Sequence, residues 1–139
     1  MTPGLVLDAS VALAWCFADE ATPAAFDVLQ RLDAAPAAAP ALMPLELANI
    51  LALAERRRRI TPARIAEFVA LIGGLPIVID DQGTARALRE VLDLARAERL
   101  TAYDAAYLEL AMPLGIALAS KDATLRRAAA GLGVPLLGA

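Results

Sequence analysis

Short apolar runs alternate with longer, alanine- and leucine-rich stretches along the chain. The first run, GLVLD at residues 4–8, passes into an Ala/Leu/Trp-rich segment and reads as a buried strand feeding a helix, with Asp8 at the strand's carboxyl end. After a Pro/Ala linker, Ala41–Met43 is expected as a short strand and Pro44 as the start of a helix, LELANILALAERRRR, because proline suits the first helical position. Glu46 and Asn49 share a face of that helix. Thr61-Pro62 signals another helix start and Gly73-Gly74 its end. PIVID, residues 76–80, is a third strand-type run, after which Asp80 or Asp81 is expected to cap a long charged helix reaching about Arg99. TAYDAAYLELA, residues 101–111, opens a helix closed by Pro113-Leu114-Gly115. IALAS, residues 116–120, follows as a fourth strand, Asp122 starts a last helix, and VPLL offers a fifth short strand.

This alternation predicts an α/β fold, a mostly parallel sheet of four to five strands with helices on both faces. No repeat, low-complexity tail or boundary signal divides the 139 residues, so residues 1–139 are expected to form one domain. Alanine inflates the 59% hydrophobic fraction and aromatics are only 4%, which favours helices packed through small side chains. The apolar run at residues 37–54 is long enough to imitate a membrane span, but Pro40, Pro44 and Glu46 interrupt it, and it reads as strand, turn and helix. The amino terminus has no basic leader, and its apolar run is broken by Asp8 and closed by Asp19 and Glu20. A cytoplasmic protein is expected.

The absent residue types narrow the chemistry. There is no histidine, which excludes the Ser-His-Asp triad, the Cys-His dyad, histidine general-base nucleases and the usual histidine zinc sites. The single cysteine, Cys16, excludes an internal disulfide framework and a cysteine-cluster zinc site and fits a reducing compartment. What remains are carboxylates, hydroxyls, Lys121 and arginine. A net charge of -3 argues against coating nucleic acid by bulk charge but allows a local basic surface. Arg56, Arg57, Arg58 and Arg59 are the candidate. They also suit the negative end of the preceding helix, and the two readings are compatible.

Taken singly, the acidic residues have local explanations. Thr101 and Asp104 match a capping box, Asp122 suits an N-cap, and Asp8 suits the cap of the helix after the first strand. Glu46 fits a local role less well, because it sits among apolar residues where an unpaired charge is costly. Taken together, Asp8, Glu46 and Asp122 each follow a strand, and open parallel sheets bind ligands at the carboxyl ends of their strands. Local pattern does not place Asp104 there. Carboxylates gathered in one crevice raise one another's pKa and call for a countercharge. Mg²⁺ or Mn²⁺, which prefer oxygen ligands, would supply it.

VLDASVALAW, PLELANIL, TAYDAAYLELA and SKDATL, in that order and over the whole chain, resemble the motifs of PIN-domain nucleases, most closely VapC-type toxins. The resemblance implies a three-layer α/β/α fold and Mg²⁺- or Mn²⁺-dependent cleavage of RNA. Asp8, Glu46, Asp104 and Asp122 fall on the family's catalytic, metal-binding positions. Ser10, Asn49 and Ser120 fall on supporting ones, and Lys121 falls on a variable one. It further implies a homodimer, inhibited by a cognate VapB-type antitoxin whose carboxyl-terminal segment covers the site.

Two other functions compete. A haloacid-dehalogenase-like phosphotransfer enzyme would use Asp8 as nucleophile, but that chemistry wants a second aspartate two residues on, where Ser10 stands. A PIN-like scaffold that binds RNA or a partner without cutting would carry four like charges to no purpose. A P-loop is excluded, since its glycine-lysine pattern is absent. In TAYDAAYLELA the tyrosines and Leu108 are expected to pack and Glu109 to be a surface charge, leaving Asp104 as the reactive residue.

Overall fold

The computed structural model describes residues 2–139. Five strands, β1 (Leu5–Leu7), β2 (Ala37–Pro40), β3 (Ile77–Asp80), β4 (Ala117–Ala119) and β5 (Leu136–Leu137), form one parallel sheet in the order β3-β2-β1-β4-β5. The helices are α1 (Ala9–Ala14), α2 (Pro23–Arg31), α3 (Met43–Arg56), α4 (Pro62–Gly74), α5 (Gly83–Arg86), α6 (Leu92–Glu98), α7 (Ala102–Leu114) and α8 (Ala123–Gly131). The chain builds outward from β1 to β3 and then returns to the other side of β1, so the strand order reverses between β1 and β4. That reversal opens a crevice at the carboxyl edge of the sheet.

The second strand lies upstream of its expected place, at residues 37–40 rather than 41–43. Ala37, Ala38 and Ala39 carry no β-branched side chain and read as linker. Pairing decides against propensity here, because Ala37 registers with both Leu5 of β1 and Ile77 of β3. Small side chains also suit a central strand beneath a closely packed helix, and α7 lies on both β1 and β2. Pro40 ends the strand, and α3 begins at Met43, with Pro44 in its first turn. No helix among the described residues is long and apolar enough to cross a membrane.

Thr61 caps α4 by accepting from the Arg64 N–H at 3.2 Å, and Thr22-Pro23 starts α2 in the same way, with Ala25 N–H donating at 3.1 Å. The latter signal went unread. The end of α3 is a Schellman motif: Arg59 N–H donates to Ala54 O at 2.8 Å and Arg58 N–H to Glu55 O at 3.0 Å, with Arg58 left-handed at φ 57°.

The helix expected from Asp80 or Asp81 to Arg99 is broken. Its first turn starts at Gly83, and a π-helical segment at residues 87–91 joins α5 to α6. Neither aspartate caps it. Asp80 accepts from the Gln82 N–H and pairs with Arg86 at 2.6 Å, while Asp81 accepts from the Gln82 side chain.

Glu109 is buried, not a surface charge, and it pairs with Arg86 at 2.8 Å. The reason is the position of α7, which packs on β1, β2, β4, α6 and α8. Its buried residues, among them Ala105, Tyr107, Leu108, Glu109, Leu110 and Ala111, surround the helix. A helix covered on so many sides leaves few positions for solvent.

Candidate active site

The cleft at the strand-order reversal has a volume of about 270 Å³ and is lined by Asp8, Ser10, Glu46, Asn49, Asp104 and Asp122, together with Ala9, Leu13 and Ile50. Register explains how its deepest part forms. Leu7 pairs with Ala119, so the residues that follow, Asp8 and Ser120, leave adjacent strands side by side, and Asp8 N–H donates to Ala119 O at 3.0 Å.

Asp8 stands at the N-cap position of α1 but makes no side-chain cap bond. Its Oδ2 instead accepts from Ser10 Oγ at 2.6 Å and from Ser120 Oγ at 2.8 Å. The hydroxyls are fixed in turn, since Lys121 N–H donates to Ser10 Oγ at 2.9 Å and Asp122 N–H to Ser120 Oγ at 3.1 Å. The loops after β1 and β4 are thereby joined around one buried carboxylate, whose two hydroxyl bonds both fall on the same oxygen.

Asp104 reaches the cleft because α7 leads into β4. A helix entering a parallel strand runs back along it, so the amino end of α7 falls at the carboxyl edge of the sheet. Thr101 caps this end by accepting from the Asp104 N–H at 3.1 Å. Asp122 is both an N-cap, accepting from Leu125 N–H at 2.8 Å, and a wall of the cleft.

Glu46, in the first turn of α3, is half-buried and accepts from the hydroxyl of Tyr107. The sequence reading gave Tyr107 packing alone. The signal it overlooked was spacing: Tyr107 lies three residues after Asp104, on the same face of α7. Burial and the neighbouring carboxylates push the tyrosine hydroxyl far above its ordinary value of 10.0, so it stays protonated and donates.

Burial is the largest cause raising the carboxyl pKa of Asp8, Glu46 and Asp104 above ordinary values of 3.8, 4.5 and 3.8. Mutual repulsion adds to it: Asp122 acts on Asp8, Asp8 and Asp104 act on Glu46, and Asp122 and Asp8 act on Asp104. The hydroxyls of Ser10, Ser120, Tyr107 and Thr101 oppose the rise. No ion pair among the described residues engages any of the four carboxylates. Lys121, adjacent in sequence to Asp122, turns its ammonium to Glu20 O.

Among the described residues, no three acidic side chains stand together as a ready-made metal cluster. The carboxylates line the cleft walls. Their chemistry nevertheless fits a hard divalent cation, because every donor is oxygen and none is paired with a base.

Of the four arginines, Arg59 is engaged elsewhere. It pairs with Asp19 and Glu20 and lies over the Phe17 ring at 4.0 Å. Arg56, Arg57 and Arg58 are exposed, and Arg56 falls two turns beyond Asn49 on the same face of α3.

The PIN domain family model matches residues 5–131. Among solved structures, the crystal structure of PAE2754 from Pyrobaculum aerophilum matches with a TM-score of 0.70 at 22% identity, covering 96% of this chain and 83% of that one. At that identity the likeness speaks for the fold. No curated protein matches the chain significantly.

Proposed function

The chain belongs to the PIN domain family, whose fold is of nuclease type, and from that premise we propose that it is a Mg²⁺- or Mn²⁺-dependent endoribonuclease of VapC type, acting as one domain and serving as the toxin of a type II toxin–antitoxin pair. One observation carries this reading. Four carboxylates from four separate parts of the chain line one cleft at the strand-order reversal, with no cation among the described residues paired to them. Asp8, Glu46, Asp104 and Asp122 would hold the ion, with Asn49 beside them. When bound, the ion supplies neutralising charge and Lewis acidity toward water and phosphate oxygens.

The chain's own residues do the positioning. Ser10 and Ser120 fix Asp8, Thr101 fixes the turn that carries Asp104, and the α8 cap fixes Asp122. Arg56 at the end of α3, with Arg57 and Arg58 in the turn that follows, would offer phosphate contacts beyond Asn49. A second groove, of about 330 Å³, exposes Leu88, Leu92 and Tyr103. Exposed apolar surface of this kind suits self-association and supports a homodimer. The proposed antitoxin would cover the carboxylate cleft.

The test is incubation of purified protein with total RNA and Mg²⁺ or Mn²⁺, beside Asp8→Asn and Asp104→Asn. Each substitution is expected to lower cleavage by about 100-fold or more, on the order of 3 kcal/mol in the barrier. Cleavage that survives both substitutions, or that persists in excess chelator, would overturn the metal-carboxylate reading.

A further inference from the structure

Glu46 has one more side-chain torsion than the three aspartates of the cleft. It stands on the first turn of α3, half in solvent, with three side-chain torsions and the repulsion of Asp8 and Asp104 both favouring an outward rotamer. It is nevertheless turned inward, and its partner there is Tyr107. That ring is fully buried, at 0% exposure, on a helix packed against β1, β2 and β4, which makes the hydroxyl a fixed point.

We propose that Tyr107 is a positioning residue of the cleft, its hydroxyl donating to Glu46 Oε1 and holding that carboxylate toward Asp8 and Asp104 as the cleft's fourth cation-binding oxygen group. Asp104 and Tyr107 then act from one helix face, the first as a donor group and the second as the anchor of a donor group on another helix. The arrangement parallels Ser10 and Ser120 on Asp8, with hydroxyls orienting the buried Asp8 and the half-buried Glu46. It rests on the metal-dependent reading above.

The experiment is Mn²⁺ titration, followed by the electron paramagnetic resonance of free Mn²⁺, on wild type, Tyr107→Phe, Glu46→Gln and the double variant. RNA cleavage and metal-free thermal unfolding are measured alongside. Tyr107→Phe keeps the ring and is expected to weaken Mn²⁺ binding about 10- to 100-fold. The double variant should bind no more weakly than Glu46→Gln alone, because the tyrosine acts only through that carboxylate. Glu46→Asp, which keeps the charge but withdraws it from the hydroxyl, should mimic Tyr107→Phe without touching the buried ring. Unchanged Mn²⁺ affinity in Tyr107→Phe, with or without a lower melting temperature, overturns the inference. So does a loss that is undiminished in the Glu46→Gln background. If wild type neither binds Mn²⁺ nor cuts RNA, the metal reading fails and takes this inference with it. If wild type does both and Tyr107→Phe matches it, this inference fails alone.

Discussion

Asp8, Glu46 and Asp104 hold their protons more tightly in the folded chain than in the unfolded one, chiefly because folding takes them out of water. The sign of the resulting pH dependence follows. Where the folded state binds more protons, stability falls as pH rises. The stabilisation is fully present below ordinary values of 3.8 and 4.5 and is lost as pH climbs through the raised folded values. Metal-free protein is therefore expected to melt at a lower temperature at neutral pH than in mild acid, as read by circular dichroism. Mn²⁺ should restore the melting temperature at neutral pH and do little in acid, and Asp8→Asn should flatten the profile. A melting temperature that rises steadily from mild acid to neutrality would contradict the raised values. At this scale the sequence exposed the carboxylates but not their partners: Asp8 and Ser120 lie 112 residues apart, and only strand register makes them neighbours.

Among the elements, α7 and α8 show caps and cleft residues sharing a turn. Thr101 does the capping on α7, which leaves the Asp104 carboxylate to the cleft, whereas Asp122 performs both jobs on α8. Two substitutions separate them. Asp122→Asn keeps a good N-cap and removes the charge, so cleavage should fall while the melting temperature holds. Asp122→Ala removes both and should also cost about 1 kcal/mol of stability by denaturant titration. Equal stability losses in the two variants would show that the cap is not what Asp122 contributes. Helix starts at Thr61 and Thr101 were readable because their signal is local. Strand β2 was not, since three alanines carry no strand signal of their own, and Glu109 misled because its burial depends on Arg86, 23 residues away, and on what covers α7.

At the scale of the whole molecule, an apolar groove lies open between the π-helical segment and the first turns of α7. Leu88 is its most exposed large apolar residue at 85%. If this face joins two copies, Leu88→Arg should shift the mass measured by light scattering from dimer to monomer and leave secondary structure unchanged. A dimer that survives the substitution places the interface elsewhere. At the base of the groove, Asp80 and Glu109 share the partly exposed Arg86, and Glu109, the buried charge of the three, would be costly without that partner.

By itself the sequence determined the α/β alternation, the parallel sheet, the exclusion of histidine and cysteine chemistry, and three carboxylates at strand ends. All of these follow from periodicity, composition and local order along the chain. Tertiary structure alone decided that β2 is built from Ala37–Pro40, that Glu109 is an interior ion-pair partner, that Arg59 is bound to Asp19 and Glu20, and that Tyr107 holds Glu46. Each of those depends on groups brought together by the direction of a helix or the register of a strand. In a parallel sheet, the helix that enters β4 must begin at the carboxyl edge, and that requirement carries Asp104 to the other three carboxylates.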